Sequence, residues 1–263
     1  MKWIDINGVS LRYELSGLAA PAPTVLLVHE LGGSLDSWEE TLPAFQSHFR
    51  VLRYDQRGFG HSEKVSGTLN LDDMVGDIVA LLEALSITTP CFVVGSALGA
   101  GIAAAFAARH PKRVSRLVVQ SLVTRSNPAT RPHMEARANE VERTGMRVQA
   151  KASLDRSYPE VLRQPRDRFE NYRARWMAND PQSFSAINRM LLNMEIDQEL
   201  SHITAKTLVI GCEYDEMRPP AMVKSMATLI PGAVFVEALS GHFMHAQTPA
   251  LFTQMVMPFL LEK

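Results

Sequence analysis

The stretch Val93-Val94-Gly95-Ser96-Ala97-Leu98-Gly99-Ala100-Gly101 decides the fold of this chain. The apolar residues at its start predict a strand, and the alanine-rich stretch from Leu98 to Arg109 predicts a helix. A strand that turns directly into a helix leaves room only for small residues on either side of the turn. Gly95 and Gly99 meet this requirement, so residue 97 is the apex of the turn.

Strands and helices alternate on both sides of this turn. The continuous apolar run Thr24 to Val28 predicts a buried strand, and Leu71 to Leu85 has apolar residues at helical spacing. The alternation returns late in the chain with the strands Thr207 to Gly211 and Val234 to Glu237. This pattern predicts the α/β class, with a mostly parallel central sheet flanked by helices.

The alternation is interrupted over residues 125–200. Arginines are frequent there, and helical patterns such as Pro132 to Gln149 and Arg166 to Met177 replace the β-branched runs. We therefore expect an α/β core domain over 1–124 and 201–263, with a helical cap inserted over 125–200.

Composition and charge narrow the class of function. The chain has 27 basic and 28 acidic residues and a net charge of -1, without a basic stripe for nucleic acid or a polybasic membrane anchor. No apolar run is long enough for a secretory signal or a membrane span. With two cysteines and no metal-ligand spacing, we expect a cytoplasmic protein that binds a small-molecule substrate and needs no metal. The sequence is compatible with a homo-oligomer.

The glycine-bounded turn matches the nucleophile elbow G-x-S-x-G, whose apex side chain is a nucleophile. The apex here is Ala97, which has no nucleophilic atom. Ser96 is the alternative apex, but it would put Val94 and Leu98 where small residues are needed. Taken alone, the segment would also fit a plain glycine-rich turn between a strand and a helix.

Two further motifs follow in chain order. Asp215 lies just beyond the strand Thr207 to Gly211, at the edge where α/β sheets build their sites. His242 lies in the loop after the strand Val234 to Glu237 and is the candidate base. His245 is expected to be a supporting or surface histidine. The order of nucleophile position, acid and base is that of one class of serine hydrolase, although Asp215 alone would also fit a turn.

The segment His29-Glu30-Leu31-Gly32-Gly33 follows the strand Thr24 to Val28. A backbone N–H just beyond this strand and that of the residue after the apex form the oxyanion hole in such enzymes. The predicted donors are Leu31 and Leu98.

With these motifs the chain resembles an α/β-hydrolase with a helical cap over nearly its whole length. Within that family the stretch from Phe49 to Ser62 is most similar to 3-oxoadipate enol-lactone hydrolases. The resemblance implies a Ser-His-Asp hydrolase that cleaves a small carboxylated ester or lactone without a cofactor. Ala97 is then an inactivating substitution, and the retention of Asp215 and His242 favours a deliberate serine-to-alanine change over natural loss.

Several alternatives stay open. Amide, formamide or carbon–carbon bond hydrolysis could use the same site, and so could a nucleophile-free lyase or oxygenase in which His242 abstracts a proton. A non-catalytic ligand-binding protein is a further alternative. Arginine suits bidentate carboxylate recognition, and Arg125, near the end of a core strand, is the predicted substrate contact. Glu30 stands where many relatives have glycine and is interpreted as a substrate or water contact or a turn residue.

Overall fold

An eight-stranded sheet forms the centre of the molecule in the computed structural model, which describes residues 2–262. The strands are β1 (Lys2–Ile6), β2 (Val9–Gly17), β3 (Thr24–Val28), β4 (Arg50–Tyr54), β5 (Cys91–Ser96), β6 (Val114–Gln120), β7 (Lys206–Cys212) and β8 (Val234–Ala238). Their order across the sheet is β1-β2-β4-β3-β5-β6-β7-β8. The pairs β1–β2 and β2–β4 are antiparallel and all the other pairs are parallel, which confirms the predicted mostly parallel sheet.

The hairpin of β1 and β2 turns at Asn7 and Gly8. Their φ angles are 49° and 74°, and positive φ at both central residues is what a tight hairpin turn requires. Asparagine and glycine tolerate this conformation best, so these two residues set the register of the first two strands.

Helices pack on both faces of the sheet. The helices outside the segment 125–200 are α1 (Leu42–Gln46), α2 (Leu71–Ala84), α3 (Leu98–Arg109), α8 (Pro220–Ala227), α9 (Met244–Gln247) and α10 (Pro249–Leu261). Side chains of β3 alternate between the two faces: Leu26 packs in the cluster with α2 and α3, and Leu27 packs in the cluster with α1 and α10. This alternation explains why β3 is continuously apolar from Val25 to Val28.

Residues 125–200, called here the helical segment, join β6 to β7. They form α4 (Arg131–Thr144), α5 (Arg147–Ser157), α6 (Arg166–Met177) and α7 (Pro181–Leu192). The single helical pattern over Pro132 to Gln149 is two helices, because Gly145, at φ 87°, ends α4. Within residues 2–262, no helix is both long and apolar enough to cross a membrane.

Candidate active site

The turn between β5 and α3 is as tight as its glycines predict. Ala97 has φ 51° and ψ −112°, a backbone conformation that side-chain-bearing residues rarely adopt. A Cβ on Gly95 would lie 2.4 Å from the Gly99 carbonyl oxygen, and a Cβ on Gly99 would lie 2.2 Å from that of Val28. The need for small residues at 95 and 99 is confirmed, and Gly99 lets the start of α3 reach the end of β3.

Ser96 is the last residue of β5 and is fully buried. Its Oγ donates a hydrogen bond to Gln120 Oε1 at 2.7 Å, while the Ala97 amide donates to the Gln120 carbonyl oxygen at 2.9 Å. The Ser96 hydroxyl is therefore held between neighbouring strands, and the structure places Ala97 at the apex.

Asp215 and His242 form a buried hydrogen-bonded pair, called here the dyad. His242 Nδ1 and Asp215 Oδ2 are 2.8 Å apart. Asp215 Oδ2 also accepts from Ser121 Oγ at 2.6 Å, and Oδ1 accepts from the amides of Met217 and Arg218 at 2.9 Å each. With four donors around it, the carboxylate is fixed in place and orients the imidazole.

The environment of Asp215 keeps its carboxyl group ionised. Burial raises its pKa, but the charge of His242 and the hydrogen bonds from His242 and Ser121 outweigh burial and hold the pKa below its ordinary value. An ionised carboxylate at Nδ1 stabilises the imidazolium that forms when Nε2 takes a proton.

Gln120 links the turn to the loop that carries His242. Its Oε1 accepts from Ser96, and its Nε2 donates to the His242 carbonyl oxygen at 3.2 Å and to Ser121 Oγ. Sequence reasoning missed Gln120 and Ser121. The available signal was a polar pair directly after the apolar run of β6, at the same sheet edge as Ala97.

Leu31 and Leu98 lie on either side of the close approach between β3 and α3. Leu31 follows the end of β3, and Leu98 is the first residue of α3. Within residues 2–262, neither backbone amide donates to a protein acceptor. The two amides are thus available for an oxyanion, and their role stays a prediction.

Glu30 and His245 form a second buried pair. Glu30 Oε2 and His245 Nε2 are 3.0 Å apart, Glu30 Oε1 accepts from Ser37 Oγ at 2.9 Å, and the Trp38 and His245 rings have centroids 4.2 Å apart. Burial raises the pKa of Glu30, but the charge and hydrogen bond of His245 outweigh burial and lower it to about 2. His245 supports the site rather than lying on the surface, and Glu30 joins the loop after β3 to α9.

The helical segment packs on the loops of the site. The Tyr172 ring of α6 stacks on Phe243, with centroids 5.2 Å apart. Asn179 Nδ2 donates to the Gly32 carbonyl oxygen at 2.8 Å. The segment therefore contacts both the loop after β3 and the loop that carries His242.

Arg125 lies apart from these groups. Its side chain is 63% exposed and pairs with Asp197 at 3.3 Å. An isolated bridge to Glu195 holds its backbone beside the end of α7. The structure thus places Arg125 in a surface ion pair, and this position gives no support to the expected substrate contact.

The family model for the alpha/beta hydrolase fold matches residues 23–249. The chain belongs to the α/β-hydrolase family, and its eight-stranded, mostly parallel sheet with flanking helices is the fold of that family.

Relatives and solved structures place the chain among hydrolases. A Caulobacter segnis protein named provisionally as a carbamate hydrolase, RutD, is 30% identical over 255 residues, which cover 94% of this chain and 95% of the relative. The enol-lactonase from Burkholderia xenovorans LB400 superposes with a TM-score of 0.93 at 28% identity, covering 99% of this chain and 100% of that one. A hydrolase from Pseudomonas aeruginosa gives a TM-score of 0.93 at 29% identity, with coverages of 99% and 98%.

Proposed function

We propose that the chain carries the active site of a Ser-His-Asp type hydrolase for a small ester or lactone that bears a carboxylate, with Ala97 at the nucleophile position. The observation that carries this proposal is the buried hydrogen bond between His242 Nδ1 and Asp215 Oδ2. This bond leaves His242 Nε2 as the nitrogen that takes and returns a proton. A site that only binds a ligand has no chemical need for such a dyad.

With serine at position 97, hydrolysis proceeds in two halves. The hydroxyl oxygen bonds to the substrate carbonyl carbon as His242 Nε2 takes the hydroxyl proton, and the Leu31 and Leu98 amides hold the oxyanion. His242 then gives the proton to the leaving oxygen as its bond to carbon breaks. Water, deprotonated by His242, cleaves the acyl group from the serine. Asp215 stabilises the imidazolium in both halves.

With alanine at position 97, the acyl-enzyme cannot form. Turnover is expected to be lower than that of the serine form by roughly 10⁴- to 10⁶-fold, because binding and oxyanion stabilisation alone leave only residual catalysis. Substrate binding does not depend on the missing oxygen and is retained.

A carbamate is the second candidate substrate. The relative named for carbamate hydrolysis is 30% identical and aligned over nearly its full length. A carbamate presents the same kind of carbonyl to the same site, so attack, oxyanion stabilisation and protonation of the leaving group need no further residue.

The test compares Ala97→Ser with the unchanged chain on a panel of small esters, lactones and carbamates, with and without a carboxylate. We expect Ala97→Ser to hydrolyse members of the panel at least about 10⁴-fold faster than the alanine form. The control Ala97→Ser/His242→Gln should lose this gain. Full activity of the alanine chain, with no gain from serine, would leave a nucleophile-free enzyme as the better account.

A further inference from the structure

The turn after β3 carries Leu31, the predicted oxyanion donor, and its backbone is fixed at the Glu30 carbonyl group. Gly33 donates its amide hydrogen to the Glu30 carbonyl oxygen at 3.0 Å. Gly32, at φ 79°, supplies the positive φ that glycine provides at the third residue of a tight turn. His29 Nδ1 lies 2.8 Å from the same carbonyl oxygen. The Glu30 carbonyl group therefore has two partners within its own loop.

The protonation of His29 makes the second of these contacts a hydrogen bond. Burial lowers the pKa of His29, which keeps its ring neutral. Since Nε2 accepts from the Gln56 amide at 3.0 Å, Nδ1 carries the proton and donates to the Glu30 carbonyl oxygen. The peptide unit from Glu30 to Leu31 is planar and trans, so the Leu31 N–H points away from this fixed carbonyl group in a set direction.

The Glu30 side chain lies against its own turn. A Cβ on Gly33 would lie 2.5 Å from Glu30 Cδ and Oε1, so glycine leaves the room that the carboxylate occupies. From this position Oε1 accepts from Ser37 Oγ at 2.9 Å, and Oε2 lies 3.0 Å from His245 Nε2. The side chains of Glu30 and His245 are both 0% exposed. The carboxylate is thus enclosed by protein and acts through these neighbours.

His245 carries this contact to the loop of the base. It belongs to α9 and lies three residues after His242. The Phe243 carbonyl oxygen accepts from the Ala246 amide at 2.9 Å, so the residue directly after His242 is part of the same hydrogen-bonded turn as His245. The Trp38 ring packs on His245 from the other side, with centroids 4.2 Å apart. A shift of His245 would therefore move the backbone that carries His242.

We infer that Glu30 and His245 are positioning residues. Their contact holds the Leu31 amide at a fixed place relative to His242, so that the oxyanion donor after β3 and the base after β8 act on one carbonyl group. A charge-assisted hydrogen bond between buried groups is short and directional, which suits this task. Apolar side chains of similar volume often stabilise a fold as well, so orientation explains the buried charge better than stability does. The catalytic consequence rests on the proposed hydrolase function.

The kinetic test uses Ala97→Ser as the parent and 4-nitrophenyl acetate as the substrate. Labelling to completion with a fluorophosphonate counts the chains that have a reactive serine, and kcat is expressed per labelled chain. Glu30→Gln and His245→Phe, each added to Ala97→Ser, should lower kcat by at least about 10-fold and change KM by less than about 2-fold. Both halves of the reaction pass through an oxyanion, so kcat falls whichever half limits it. His245→Phe keeps a ring beside Trp38 and removes Nε2.

The matched control is Glu39→Gln in the same parent, the same change at a side chain that is 65% exposed, and it should leave kcat unchanged. A purely structural role of Glu30 and His245 would lower the unfolding temperature and the fraction of chains that label, and leave kcat per labelled chain unchanged. Because the two residues act through one contact, Glu30→Gln/His245→Phe should be no slower than the slower single variant. Effects that multiply would contradict a shared role.

Amide hydrogen exchange of the unchanged alanine chain, followed by NMR, tests the contact without turnover. The Gly33 amide should exchange at least about 10-fold faster in Glu30→Gln and in His245→Phe, because its acceptor lies in the turn that the carboxylate holds. The amides of β5 should keep their rates. An unchanged Gly33 rate, or an equal acceleration in β5, would overturn the positioning role.

The two measurements separate this inference from the proposed function. If Ala97→Ser hydrolyses no ester, the hydrolase function fails, and faster Gly33 exchange still supports the contact that holds the turn. If Ala97→Ser is active and neither Glu30→Gln nor His245→Phe changes kcat per labelled chain, the positioning role fails and the hydrolase function stands.

Discussion

The two buried carboxylates of this site, Asp215 and Glu30, are stabilised by protein hydrogen bonds in place of the water that would solvate them at the surface. Asp215 keeps its charge because its carboxylate accepts hydrogen bonds from four donors. Glu30 keeps its charge because its carboxylate is hydrogen-bonded to His245, on α9, and to Ser37. Charged groups at this depth are stable only when such partners are complete. We therefore expect a substitution at any of these hydrogen-bonding residues to lower the free energy of unfolding.

Glu30→Gln tests the second buried pair. Replacing the Glu30 carboxylate by an amide weakens its buried hydrogen bonds with His245 and Ser37 and costs about 2 kcal/mol in the free energy of unfolding at pH 7. The folded-state pKa of Glu30 is about 2, below its ordinary value of 4.5, so its ionisation stabilises the fold above about pH 4.5 and this contribution is lost as the pH falls towards 2. In urea unfolding, the free energies of unfolding of Glu30→Gln and the unchanged chain should differ most at pH 7 and become equal as the pH falls from 4.5 to 2.

The matched control for this prediction is Glu39→Gln, because the Glu39 carboxylate also accepts a hydrogen bond, from Arg53, but its side chain is 65% exposed. Its effect should be below about 1 kcal/mol at every pH. A difference in the free energy of unfolding between Glu30→Gln and the unchanged chain that stays constant from pH 7 to 2 would contradict an ionised Glu30 in the folded protein.

Site residues that belong to a recognisable motif can be predicted from the sequence. Site residues whose role depends on which strands are neighbours in the sheet cannot. Asp215 and His242 follow strands at recognisable spacing, and the structure brings them together. Gln120 and Ser121 have no motif, because their roles depend on β6 lying beside β5 and β7. The buried partner of Glu30 lies 215 residues away in the sequence, at His245, so spacing could not reveal it.

At the level of elements, the turn from β5 into α3 positions the apex by close backbone contact. The α3 helix starts against the carbonyl groups at the end of β3, with only a glycine hydrogen between them. This contact sets the positions of the Ala97 apex and the Leu98 amide together. The turn from β5 into α3 therefore tolerates almost no increase in side-chain volume at Gly95 or Gly99.

Gly99→Ala should lower the free energy of unfolding by at least about 2 kcal/mol, because the added Cβ meets backbone atoms that cannot rotate away. Gly76→Ala in α2 is the matched control, since the nearest atom to its Cβ is 3.7 Å away. That change should stabilise the protein by about 1 kcal/mol through helix propensity. Denaturant unfolding of both variants checks the sign of each effect, and equal effects would contradict the close contact.

The helical segment shows which element boundaries the sequence can indicate. Pro165 precedes α6, and the predicted helix Arg166 to Met177 matches the observed one. The predicted helix over Pro132 to Gln149 ignored Gly145, although a glycine is the residue that most often ends a helix in a left-handed conformation. Helical periodicity continued on both sides of Gly145 and masked the break.

Across the whole molecule, the alternation of apolar strands and amphipathic helices was sufficient to predict the sheet. Each parallel strand is buried on both faces and is therefore apolar, and such strands are recognisable in the sequence. Ion pairs on the surface could not be predicted from this alternation, because they depend on which exposed side chains the fold brings together. Arg125 looks like a candidate anion contact in the sequence, and only the fold shows that its side chain is exposed and paired with Asp197.

The most direct test of the central claim is covalent labelling of Ala97→Ser with a fluorophosphonate, followed by intact-mass and peptide mass spectrometry. The account predicts one phosphonyl group per chain, bonded to the residue 97 oxygen with loss of fluoride, because the dyad and oxyanion amides activate a serine at that apex. The unchanged chain and Ala97→Ser/His242→Gln should stay unlabelled. No labelling of Ala97→Ser, or labelling of Ser96 instead, would contradict the claim that residue 97 is the nucleophile position.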